Sequence, residues 1–167
     1  MTVSDFRPLP ESARRLLDSD ALVHLVTLNP DGSPNVTGVW AGLDGDDVVF
    51  ASMFPWKKTT NLQHDGRAAL SVEAPGFYAT GMREYLVVYG TVEVTEGGGA
   101  ELLNRFAKKY LGPDAEYPPP ELRSKPGYVM RMRIERVSGV GPWKGDPPGT
   151  PEGYKQYVAH AGAKGAG

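Results

Sequence analysis

The chain has 167 residues, 40% hydrophobic and 23% charged, with a formal net charge of -2 and no cysteine. That length buries a core without cross-links, the missing thiols exclude disulfides, thiolate metal sites and a cysteine nucleophile, and the slightly acidic balance gives no overall attraction for nucleic acid or an anionic membrane. No apolar run approaches the roughly 18 residues that span a bilayer, and Met1–Asp5 lacks the basic and apolar regions of a secretory leader, so a cytoplasmic protein is expected.

Residues 1–9 read as an extended arm. Pro10 opens a short helix that runs to Leu17 and stops at Asp18-Ser19-Asp20. Ala21–Leu28 is an almost unbroken apolar, β-branched run, the pattern of a strand covered on most of its surface. Asn29-Pro30-Asp31-Gly32-Ser33 supplies a tight turn, and Pro34–Gly42 resumes as a second strand. Asp44-Gly45-Asp46 turns the chain into a third strand, Asp47–Ser52, giving an antiparallel meander.

Met53–Arg67 breaks the alternation, and Trp56–His64 is predicted to make two helical turns before Asp65-Gly66. Ala68–Glu73 and Tyr85–Thr95 are strands, with Gly90 marking a bulge or barrel corner. Glu96–Leu111 is a helix, since Leu102, Phe106 and Tyr110 recur every four residues and Gly112-Pro113 stops them. A proline-rich loop leads to a last strand, Tyr128–Val137. Gly139–Gly167 is rich in Gly, Pro and Ala and offers little to pack, although Trp143 is a candidate anchor and, with Tyr154, a candidate lid over a cleft. Six antiparallel strands and two or three short helices predict one mainly-β domain over residues 1–167. Its core is a small barrel, because closure removes exposed sheet edges.

His24, His64 and His160 stand on three elements with no metal-ligand spacing, and His24, inside the most apolar strand, is expected to be a core histidine. There is no G-x-S-x-G elbow, and Gly97-Gly98-Gly99 lacks the Lys-Ser/Thr of a phosphate loop. The segment Trp56-Lys57-Lys58-Thr59-Thr60-Asn61-Leu62 is different. It places two lysines in the first turn of a helix, where the dipole repels each by about 0.3–1 kcal/mol and a bound phosphate would reverse that sign. A solvated pair of surface charges is the alternative.

Leu25–Trp40 resembles the opening hairpin of the pyridoxamine 5′-phosphate oxidase-like split β-barrel superfamily. Asp44–Ser52, Lys58–Leu62, Asp65–Ser71, Tyr85–Thr95, Lys109–Gly112 and Ile134–Ser138 follow in that family's order. The likeness spans about residues 12–139, leaving 140–167 as a tail, and is strongest to the coenzyme F420-dependent (deazaflavin) reductase branch, through Lys58-x-x-Asn61-Leu62. It implies a six-stranded FMN-binding split barrel, a homodimer and a cofactor site at the subunit interface. By the same resemblance Thr37, Val39 and Trp40 run beneath the ring. Ala51 and Ser52 contact the cofactor, Lys57 and Lys58 hold its phosphate beside Asn61, and Tyr85 reaches the ring. Trp56 stands where many relatives carry arginine, and Gly38 where many carry proline.

The resulting expectation is an oxidoreductase that transfers a hydride between F420 and a small organic acceptor, with no catalytic residue and no metal assigned. The alternatives are an FMN oxidase or reductase of the same fold, or a non-catalytic barrel for a ring-shaped ligand such as haem. An oligonucleotide-binding barrel lacks the basic, aromatic-interleaved stripe that it needs.

Overall fold

The computed structural model describes residues 8–146 and 148–164, so the arm expected over residues 1–9 lies, up to residue 7, outside the described residues. Seven strands form one antiparallel sheet: β1 (Val23–Leu28), β2 (Pro34–Val39), β3 (Ala41–Asp44), β4 (Asp47–Ser52), β5 (Arg67–Phe77), β6 (Arg83–Glu96) and β7 (Tyr128–Val140), in the order β2-β1-β5-β6-β7-β4-β3. Around it lie α1 (Glu11–Asp18), α2 (Lys57–His64), α3 (Gly99–Leu111) and α4 (Pro151–Lys164).

The expected meander is corrected at Trp40. The β1–β2 and β3–β4 hairpins both exist, but β2 and β3 occupy opposite edges of the sheet. Val39 pairs with Val23 at one edge, while Ala41 pairs with Phe50 at the other. Two residues apart in sequence, their Cα atoms lie within about 7.6 Å, whereas a flat sheet of seven strands would separate its edges by roughly 29 Å. The sheet therefore curls until its edges meet, which is the split β-barrel. The six expected strands become seven because the second is broken at Trp40.

Alternation fills the interior. Val23 and Leu25 of β1, Leu70 and Val72 of β5, Leu86 and Val88 of β6, and Met130 and Met132 of β7 are all buried. Ala13, Leu16 and Leu17, spaced as one helical stripe, bring α1 against the same core. The register of β6 on β7 shifts between Tyr89 and Gly90, so the corner expected at Gly90 is present.

Closure is fastened from α3. The Tyr110 hydroxyl accepts the Ala41 amide at 3.2 Å and reaches the carbonyl oxygens of Ala41 and Ala21 at 3.1 and 3.3 Å. Lys109 Nζ donates to Ala41 O at 2.5 Å and to Leu17 O at 3.3 Å. Burial pushes the Lys109 pKa down and the Tyr110 pKa up, since both sit among carbonyls rather than water. Tyr110→Phe is expected to leave the Ala41 amide without its acceptor, costing about 1–2 kcal/mol in a denaturant titration. A midpoint unchanged from the parent would show that the latch carries no stability.

Two further expectations are corrected. His24 is exposed on the outer face of β1, because the strand alternates and only Val23, Leu25 and Thr27 turn inward. The segment after residue 139 is also structured. It completes β7, passes through a 3-10 turn at Pro142–Lys144 that buries Trp143, and continues into α4. Trp143 anchors this segment in the main core, as one of its two expected roles required. The side chain of Tyr154 lies outside the described residues.

Candidate functional site

The ends of β2 and β4 point toward the start of α2, and a cleft of about 490 Å³ opens between them. Val39 and Trp40 come from the β2–β3 break, Ala51 and Ser52 from the end of β4, and Lys58 from the first turn of α2. Phe54, Trp56, Leu103 on α3 and Tyr117 complete most of the wall. Trp40 is held in place by aromatic contacts. It stacks on Tyr110 at 5.6 Å with rings 11° apart, and Tyr117 meets it edge-on at 5.7 Å.

The turn into α2 is set locally. Ser52 Oγ donates to Phe54 O at 2.7 Å, and the Trp56 amide donates to the same carbonyl at 2.8 Å. Trp56 O then accepts the amides of Thr59 and Thr60 at 2.8 and 3.1 Å, so the helix begins there with no side-chain cap and no acidic residue in its first turn. The amides of Lys57 and Lys58 precede the first intrahelical bond and face outward from the positive end of the dipole. Lys58 is half-buried, and desolvation pulls its pKa below the usual lysine value. Among the described residues no aspartate or glutamate lines the cleft, so Lys58 sets its charge.

Of the ten residues that the resemblance singled out, six line this cleft: Val39, Trp40, Ala51, Ser52, Trp56 and Lys58. The others do not. Lys57 is exposed to solvent. Asn61, only 2% exposed, turns away and donates to Thr27 Oγ1 at 3.1 Å and Asn29 Oδ1 at 3.0 Å. Thr37 accepts from Asn35 at 3.3 Å in the same polar network, which ties α2 to the β1–β2 hairpin. Thr59 is likewise turned inward, with its hydroxyl against Met130. Tyr85, on β6, pairs with Glu73 of β5 and Val140 of β7, outside the cleft of its own chain.

Leu22, Met53, Phe54, Leu103 and Tyr117 were not foreseen. Leu103 belongs to a stripe that also packs the core, and Tyr117 lies in a proline-rich loop without periodicity, so neither carried a local signal. Phe54 did carry one: an apolar aromatic beside Pro55 at the end of a strand, 5.6 Å from Trp56 with the two rings edge to face.

The fold and the cleft define a split-barrel protein with a cationic helix start facing an apolar, aromatic-walled recess. Residues 9–141 match the family described as pyridoxamine 5′-phosphate oxidase, and the chain belongs to that family, one of flavin-binding-like oxidoreductases. The solved structure of an F420 reductase is 27% identical, with a TM-score of 0.63, covering 77% of this chain and 98% of its own. A conserved hypothetical protein from Mycobacterium tuberculosis shares the fold at 17% identity and a TM-score of 0.63, covering 83% of this chain and 88% of its own. HupZ from Group A Streptococcus does so at 17% and 0.57, covering 78% and 93%. No curated protein matches the chain in sequence.

Proposed function

We propose that the protein is an oxidoreductase that binds a phosphate-bearing deazaflavin, coenzyme F420, and passes a hydride between it and a small organic acceptor. The observation that carries this reading is Lys58, half-buried at an uncapped helix start and facing a cleft that no carboxylate among the described residues lines. The residues present fit such a group. Lys58 Nζ and the first amides of α2 are donors suited to a phosphate, while Val39, Trp40, Ala51 and Trp56 offer apolar surface to a ring. The solved F420 reductase at 27% identity supports the deazaflavin over FMN. When bound, the cofactor supplies the redox chemistry. The chain holds its phosphate at Lys58, orients the ring against Trp40 and excludes water with Phe54 and Trp56. Titrating the protein with F420 and FMN side by side tests the reading: F420 is expected to bind at least tenfold more tightly. Tighter FMN binding would move the protein to the flavin oxidases and reductases.

The active form in this reading is a homodimer. Strand register lines up Val36, Val26, Ala69 and Tyr89 in one outer row, and Gly38, His24, Ser71 and Val87 in the next. Together they form a broad face on which Arg136 stacks on Tyr89 at 3.8 Å, with Glu73 in the adjoining row. A second copy seated there would bury more than about 1,000 Å² in total, the scale of a stable interface. Val87→Glu is expected to shift the mass in light scattering from dimer to monomer. A parent protein that is already monomeric at micromolar concentration would overturn the shared site.

A further inference from the structure

A second cavity, about 860 Å³, lies at the end of the barrel where α1, the β5–β6 turn and the Pro142–Lys144 segment converge. Much of its wall is apolar, from Leu16, Leu22, Ala74, Pro75 and Pro142, yet Glu84 also forms part of it. Glu84 is only 7% exposed, because β6 turns it inward on the same face as Leu86 and Val88. Its carboxylate lies directly over Gly76. A methyl there would stand 2.3 Å from Oε2 and 2.9 Å from Cδ, so the absent side chain makes room for the charge.

The cations at the cavity are already engaged. Arg83 lies 3.5 Å from Glu73, donates to Pro75 O at 3.1 Å and rests over the Phe77 ring at 4.8 Å. Arg15 lies 3.7 Å from Glu11. Among the described residues no donor reaches the Glu84 carboxylate, and Glu73 and Asp20 add two further acidic groups to the wall, with His24 at the exposed strand face. The Glu84 oxygens open onto the cavity with no protein donor beside them, so a cation delivered from solution supplies the partner that the chain does not.

We propose that this cavity is a binding site for a small organic cation, a protonated amine on an apolar body. The ammonium meets Glu84 and the body packs between Leu16, Leu22 and Trp143. Glu84, Gly76 and Trp143 all come from one chain, and the site shares only Leu22 with the cleft that holds Lys58.

Benzylammonium and its neutral counterpart benzyl alcohol are the probes, followed by calorimetry and by the ¹⁵N-resolved indole N–H signal of Trp143, assigned with Trp143→Phe. At pH 7.5 benzylammonium is expected to shift that signal saturably and to bind at least tenfold more tightly than benzyl alcohol. Glu84→Gln should erase that preference. Gly76→Ala, which keeps the charge but displaces it, should weaken benzylammonium at least threefold. Lys58→Ala should change neither probe, so loss of the cofactor reading leaves this result standing. Equal affinity for the two probes, no saturable shift, or a preference that survives both Glu84→Gln and Gly76→Ala would each show a merely hydrated cavity and overturn the proposal.

Discussion

Lys58→Ala is expected to weaken binding of a phosphate-bearing deazaflavin or flavin about ten- to a hundredfold, the loss of one charge-assisted contact. Lys58 is the cation of the cleft, and its ammonium is already partly desolvated before any ligand arrives. Ligand-free stability should hold or rise slightly in this variant, because a lysine at the positive end of a helix dipole is unfavourable. The pH dependence follows from the lowered pKa. Between the folded-state pKa and the usual lysine value the unfolded chain binds more protons, so folding becomes more favourable as pH rises through that alkaline window. Below it the full cost of burying the charge is present. The stability advantage of Lys58→Ala should therefore be constant near neutrality and shrink as that window is crossed. Lys57→Ala, exposed to solvent, should cost less in binding than Lys58→Ala, and the salt dependence of binding should flatten most for Lys58. A Lys58→Ala protein that binds F420 and FMN as tightly as its parent at low salt would sink the phosphate site.

Gly90→Ala should produce the largest loss of stability, about 3 kcal/mol. At Gly90 β6 and β7 approach so closely that an added Cβ would stand 2.0 Å from the Arg133 carbonyl oxygen and 3.0 Å from its carbon. Both atoms are backbone on the facing strand, so no rotamer change relieves the clash. The chain would have to undo the register shift between Tyr89 and Gly90 or separate the two strands. For a domain of this length each kcal/mol corresponds to roughly 2–4 °C, so the thermal midpoint should fall by about 6–12 °C. A melt within a degree or so of the parent would show that the bulge relaxes freely.

Much of this architecture was legible because period-two burial and turn chemistry are local. Asn29–Ser33 and Asp44–Asp46 placed both hairpins, and Gly90 marked its corner, since each is decided by residues within a few positions. Trp40 was not legible. Alternation continues through it, and nothing local records that the residues before and after pair with different neighbours. His24 was misjudged because an apolar run invites a fully buried strand, whereas here one face of β1 is open. α4 was hidden by its Gly, Pro and Ala content. Its existence rests on helix formation over Pro151–Lys164 rather than on an apolar stripe.

The site divides along the same line. Lys58 was readable from the conflict between its charge and the helix dipole, a local property. Asn61 and Thr37 shared its segment or its hairpin, but their side chains face Thr27 and Asn35, a choice made by packing between α2 and β1. Leu22, Leu103 and Tyr117 come from three distant stretches, and only the closed barrel brings them together.

The position of β7 has a consequence for how the molecule is made. It lies between β6 and β4, and without it the remaining strands form two separate sheets, β2-β1-β5-β6 and β4-β3, linked by the chain at Trp40, by the α2 segment and by the Tyr110 and Lys109 contacts but by no strand pairing. A nascent polypeptide that has emerged as far as residue 127 therefore has hairpins but no ring. Trp40, Ala51 and Lys58 have already been synthesised by then, yet the strand that fixes β4 against the rest of the barrel has not. Synthesis must pass Val140 before the recess has a lasting shape, and until then the facing edges of β6 and β4 stay unpaired.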